Sequence, residues 1–248
     1  KGADGKARLH PRALPDDLEG LINELASPNL PRRMLAANAL FDRFGKSAGA
    51  ALQRALEHSK NAFQEVHLLW LLHRLEASKP TGLADAAKSG DPLVRVHAQR
   101  IAADIFYQDS RPHLGSDPET DIHHIAAAHQ IATEGLKDRD ALVQRCAAEA
   151  WRNYRVVSSD IVRKLLELRA SVSANDTHLL YVVRKSIRDQ LNTESTFTEV
   201  LKPSWTEADL RALADVVVGV KSPLAGTFLL RNLGRLDQSR ASLSTALQ

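Results

Sequence analysis

The sequence predicts an all-α fold, a right-handed superhelix of about six helical hairpins. Three observations predict it. Apolar residues recur at helical spacing along almost the whole chain, strand-like alternation is scarce, and a short motif returns at intervals typical of helical repeat proteins.

The periodicity is plain in several stretches. Leu18, Leu21, Ile22 and Leu25 share one helical face, as do Ile161, Leu165 and Leu168, and Leu210, Leu213, Ala214 and Val217. The repeated motif is clearest in Ser27–Leu40 (SPNLPRRMLAANAL), Asp91–Ala103 (DPLVRVHAQRIAA) and Asp140–Trp151 (DALVQRCAAEAW). Each has a cap residue, an apolar residue, a basic or polar residue and then small residues. Asp91 suits the cap of a helix and Pro92 its first position, where no N–H is needed. Ala36, Ala98 and Ala147 let a neighbouring helix approach. Weaker copies are Glu65–Leu72 (EVHLLWLL), Asp176–Val183 (DTHLLYVV) and Ser222–Leu230 (SPLAGTFLL).

Equivalent positions are Arg33, Glu65, Arg95, Gln144, Leu179 and Ala225, at steps of 32, 30, 49, 35 and 46 residues. Two helices with their turns need about 30 to 47 residues. The step of 49 points to an insertion, and the polar, turn-forming segment 108–120 is the candidate loop. Each motif opens the second helix of a hairpin. First helices are expected near 17–26, 48–58, 80–89, 121–135, 159–170 and 206–218. Second helices are expected near 31–44, 61–76, 92–107, 140–155, 176–192 and 223–235. Residues 1–14 read as a flexible N-terminal segment, 15–237 as the solenoid and 238–248 as a C-terminal tail.

Composition narrows the function classes. The 248 residues are 44% hydrophobic and 25% charged, ordinary for a globular chain. The formal charge of +3 comes from 33 basic and 30 acidic residues interleaved along the chain, not from a clustered excess. One cysteine, Cys146, excludes an internal disulfide and a metal-binding cysteine pair, and leaves the compartment open. No apolar run reaches the roughly 18 residues of a membrane span, so no membrane insertion by this segment is expected. The chain starts at Lys1 in polar sequence, which reads as a segment of a longer protein.

Catalytic, cofactor and metal sites are not expected. His123, His124 and His129 share a predicted helix, with Asp121 before it and His113 in the loop. His124 and His129 are five apart, an offset of about 140°, and so do not share a face. Cys146 sits among small core residues and reads as a buried thiol. No Gly-x-Ser-x-Gly elbow or Gly-rich phosphate loop exists.

The pattern Asp91-Pro-x-Val-Arg-x-x-Ala98 resembles the HEAT-repeat consensus. In HEAT-like repeats an acidic residue of the turn and an arginine of the second helix bond across units. That role would fall to Asp91, Arg95 and Asp140, with Gln144 departing from it. His67–Leu75 (HLLWLLHRL), Asp176–Leu191 and Leu213–Leu230 also resemble the HEAT segment of large multidomain proteins of planctomycetes. Those proteins are similar to membrane-bound dehydrogenases. They join a β-propeller of the glucose/sorbosone dehydrogenase type to HEAT repeats, and often to a cytochrome c module. The resemblance covers residues 18–235. It implies a scaffold within a redox-linked parent chain, and an extracytoplasmic (periplasmic) location. This chain has no Cys-x-x-Cys-His, so no cofactor or catalytic residue is carried over.

The expected function is therefore a non-enzymatic docking module for a protein or for neighbouring domains of its parent chain. His67, Arg95, Trp151, Arg155, Arg184 and Arg188 are the candidate binding residues on the concave face lined by second helices. The alternative is nucleic-acid binding. Arg155, Arg163, Lys164, Arg184, Lys185 and Arg188 could form a basic stripe with Trp151 and Tyr154 interleaved. Asp160, Glu167 and Asp189 interrupt it, which makes nucleic acid the less favoured partner.

Overall fold

The computed structural model describes residues 13–109, 118–154 and 157–236, with backbone alone at 118–121. Every regular element among them is helical. By contact the chain divides into two compact units, Lys1–Lys79 and Pro80–Gln248. The single stretch 15–237 expected from sequence is thus divided after Lys79.

The first unit holds α1 (Leu18–Glu24), α2 (Leu30–Phe44), a 3-10 turn (Gly45–Ala48), α3 (Gly49–His58) and α4 (Ala62–Arg74). Short polar side chains start the helices. Asp17 accepts from the Gly20 amide, Asn29 from Arg32, and Asn61 from Phe63 and Gln64. At the end of α2, Gly45 lies at φ 51°, ψ −139°, a region open essentially to glycine alone. Beyond α4, Glu76 takes the left-handed position at φ 53°. There the Ala77 amide reaches back to the Leu72 carbonyl and closes the last turn. α1 packs on α2, α3 on α4, and α2 on α4. Leu21, Leu25, Ala36, Leu40, Leu52, Leu68, Leu71 and Leu72 fill the core.

The second unit holds α5 (Pro80–Ala87), α6 (Pro92–Asp109), α7 (Pro118–Gly135), α8 (Ala141–Asn153), α9 (Ser159–Ser171) and α10 (Thr177–Leu191). It continues with α11 (Glu194–Val200), α12 (Glu207–Val217) and α13 (Pro223–Asn232). α5 pairs with α6, α7 with α8 and α9 with α10. The second helices of these hairpins also pack on one another, α6 on α8 and α8 on α10. Among the described residues no helix is long and apolar enough to cross a membrane.

Two features depart from the sequence reading. The expected loop at 108–120 is shorter, because α6 runs to Asp109 and α7 begins at Pro118. Its remainder, 110–117, lies outside the described residues. Most of the long repeat step is helix, since α6 and α7 each have 18 residues. The other departure is α11, which the sequence did not announce. Its segment Glu194-Ser-Thr-Phe-Thr-Glu-Val200 is rich in β-branched and hydroxyl residues that weaken helix propensity. Burial of Thr196, Phe197 and Val200 holds it in place. α11 packs on α9 and α12 packs on α10. α12 therefore stands beside the second helices and is not the first helix of a final pair, as its sequence position suggested. α13 packs on both α11 and α12.

Candidate functional site

Three of the six candidate residues serve the interior. Arg95, on α6, is 5% exposed. Its Nε and Nη2 donate to the Asp138 carboxylate at 2.8 and 3.0 Å, and its Nη1 donates to the Ser89 and Gly90 carbonyls. The hydrogen bonds to Asp138 raise its pKa still further. The cross-repeat acceptor is thus Asp138, not Asp140. Asp140 is occupied as the cap of α8, where it accepts from the Leu142 and Val143 amides. Arg33 repeats the arrangement in the first unit. It is 7% exposed, donates to the Ser27 carbonyl six residues back, and gives its Nε to His67 Nε2 at 3.2 Å.

His67 is consequently a half-buried acceptor between α2 and α4. Burial, and secondarily the Arg33 charge, lower its pKa. Trp151 is fully buried. Its ring meets Phe106, Tyr154 and His129, with the imidazole edge-on at 4.9 Å. Arg95 and Trp151 are thus buried and His67 half-buried, each engaged with side chains of its own chain. Arg155 lies outside the described residues.

Arg184 and Arg188 do reach solvent, with side chains 49% and 42% exposed. They belong to a stripe on α10 at the i, i+3, i+4, i+7 spacing, Tyr181, Arg184, Lys185 and Arg188. Tyr181 is 61% exposed, a large aromatic left uncovered while the opposite face of α10 is buried. On one side Arg184 bonds Asp215 of α12 at 2.9 Å, which also accepts from Arg169 of α9 at 2.7 Å. On the other side, Lys185 bonds Asp189 at 2.6 Å, and Arg152 of α8 and Arg188 each lie 3.6 Å from that carboxylate. Arg145 of α8 meets His178 of α10 at 2.7 Å. Five cations therefore pair with two carboxylates across α8, α9, α10 and α12, and Glu149 stands exposed one turn before Arg152 on α8.

Of the acidic residues that interrupt the stripe in sequence, Asp189 is shared among Lys185, Arg152 and Arg188, while Asp160 and Glu167 stand on α9. The sequence pointed to Arg152, within Trp151–Arg155, but not to Tyr181, Arg169 or Arg145 as members of this face. The helical spacing around Tyr181 was the available signal. The cross-helix partners have no local signature.

A second concavity, of about 500 Å³, lies among α7, α8 and α9. Lys137, Asp160, Arg163, Lys164 and Glu167 line it, with Thr133, Gln144 and Ser171. These charges have mixed sign. Arg163 is drawn over the Trp205 ring at 4.5 Å, and Lys164 lies 5.7 Å from the centre of the Trp151 ring. No nucleophile stands beside a base there. Cys146 is 2% exposed, and burial pushes its thiol pKa up, away from the thiolate a nucleophile requires. Among the described residues no group of three or more His, Cys, Asp or Glu could hold a metal ion.

No known protein family and no curated protein matches the chain. Two solved structures similar to it are crystal structures of engineered proteins from a structural genomics consortium. One is 18% identical with a TM-score of 0.49, covering 90% of this chain and 99% of that one. The other is 15% identical with a TM-score of 0.46, covering 88% and 96%. Likeness at that level says nothing about function.

Proposed function

We propose that this chain is a non-catalytic docking module built from HEAT-like repeats. In this reading the second helices of the Pro80–Gln248 unit, joined by α12, follow a right-handed superhelical course. The concave face that these helices line is the docking wall. One observation carries the reading. Tyr181 stands 61% exposed on α10, on the same helical stripe as Arg184 and Arg188 and two turns before the Asp189 carboxylate that Arg152 of α8 also approaches. Tyrosine and arginine are the side chains that most often anchor protein interfaces. The partner is a protein or, as the HEAT resemblance implies, a neighbouring domain of a longer parent chain.

A second reading is supported by the local excess of positive charge. A polyanion such as duplex DNA would meet five cations and two carboxylates on this face. Fluorescence anisotropy with short duplex DNA at low and moderate salt separates the two. The docking reading predicts weak binding that vanishes at moderate salt. Micromolar binding with a steep salt slope, lost in Arg184→Ala/Arg188→Ala, would favour the nucleic-acid reading instead.

A further inference from the structure

We infer that the face shared by α8 and α10 receives an acidic segment of a partner protein, its carboxylates held by Arg152 and Arg188 and its apolar side chains by Tyr181, two turns earlier on α10. The inference rests on the docking reading and names the chemistry of its partner.

The described arginines differ in how their guanidinium donors are used. Arg32, Arg33, Arg95 and Arg169 each donate to a carboxylate, an imidazole or backbone carbonyls of their own chain. Arg152 and Arg188 do not. Each lies 3.6 Å from Asp189, on opposite oxygens, and neither guanidinium donates a hydrogen bond among the described residues. The short contact to Asp189 belongs to Lys185, whose Nζ stands 2.6 Å from Oδ2. Two guanidinium forks are thus gathered at one carboxylate with their donors free. Both side chains are 42% exposed.

A guanidinium presents five N–H donors in a planar fork that matches a carboxylate in bidentate geometry. Arg152, Lys185 and Arg188 against Asp189 leave two positive charges for an incoming anion. The geometry favours a protein anion over a phosphate backbone. Asp189 and Asp215 stand within the face, where they would repel a continuous row of phosphates. An acidic polypeptide places its carboxylates singly and can step around them. Its apolar side chains also find a surface in Tyr181, which a charged backbone would not use.

The test is fluorescence anisotropy with two probes, a fluorescein-labelled polyglutamate peptide and a fluorescein-labelled duplex DNA, each at low and moderate salt. The peptide is expected to bind more tightly than the duplex. Arg152→Gln/Arg188→Gln should weaken the peptide about tenfold or more, as loss of charge-assisted interface pairs does. Asp189→Asn removes the carboxylate that competes for the same forks, and should tighten peptide binding about threefold, the scale of one exposed ion pair. Circular dichroism and thermal unfolding confirm that each variant folds. Peptide affinity unchanged in Arg152→Gln/Arg188→Gln, or weakened in Asp189→Asn, would overturn the inference. If neither probe binds, the acidic partner is excluded while the docking reading stands. Preferred duplex binding that is lost in Arg184→Ala/Arg188→Ala overturns both.

Discussion

The Arg95–Asp138 pair is the residue-scale feature on which the second unit depends most. Both partners are largely buried, with side chains 6% and 13% exposed, and Arg95 also satisfies the Ser89 and Gly90 carbonyls. Removing one partner leaves the other charge buried without compensation. Arg95→Ala is expected to cost about 3 kcal/mol or more in urea unfolding at neutral pH. Burial pushes the Asp138 carboxyl pKa up, but the Arg95 hydrogen bond, the Asp140 amide and the nearby cations outweigh it, and the net shift is downward. A depressed carboxyl contributes its full stabilisation above the unfolded value of about 4, and loses it as pH falls through the lower folded value. Urea midpoints measured downward from neutral pH should therefore drop less steeply in Arg95→Ala than in the parent. His67 and His129 act in the same direction but at higher pH. Burial first, and then Arg33 and Lys164 respectively, lower their pKa values, so the fold favours their neutral forms. Stability should begin to fall as pH drops below the unfolded value of about 6.5. His67→Gln should remove part of that loss. The sequence showed the type of the arginine bond but not its acceptor. Asp138 and Asp140 are two residues apart, and only the cap geometry of α8 decides which is free to pair.

At the scale of elements, α6, α7 and α8 meet at a junction that leaves no room for a side chain on Gly135. A Cβ there would stand 2.4 Å from Gln99 Nε2 and 2.8 Å from the Ala147 Cβ, and Gln99 is already bonded to the Ile131 carbonyl. Gly135→Ala should destabilise by about 1–3 kcal/mol, although alanine is the better helix former. Trp151 of α8 carries a buried indole whose N–H has no hydrogen-bond partner among the described residues. Trp151→Ala should cost about 3–5 kcal/mol. Trp151→Phe should cost less than half of that, because it keeps the aromatic contacts and removes an unsatisfied donor. Thermal unfolding of the three variants checks the order. Helix positions were legible because caps, prolines and apolar stripes agree locally. The helix α11 was not, because contacts with α9 and α10 hold it against its own propensity. The inward turn of Trp151 was also hidden. In Trp151-Arg-Asn-Tyr-Arg155 nothing local distinguishes a stacking platform from a core ring.

For the whole molecule, the informative quantity is the placement of charge, not its sum. A surplus of +3 spread over 248 residues looked too slight to mark a surface. Cross-helix pairing gathers five cations around two carboxylates on and beside α10, a helix that also carries an exposed tyrosine. The candidate surface was therefore legible only along α10, where Arg184 and Arg188 share a helix. Residues chosen from the repeat motif, such as Arg95 and Trp151, proved to be the repeat's own interior fastenings. Site-specific photo-crosslinking in the native host tests the central claim most directly. A benzophenone side chain would be placed at Tyr181, and in a control at Glu167, on the cleft among α7, α8 and α9. The account predicts a discrete polypeptide adduct from position 181 that fades in the Arg152→Gln/Arg188→Gln background, and none from position 167. Adducts from position 167 but not 181, or nucleic acid as the product at 181, would contradict it.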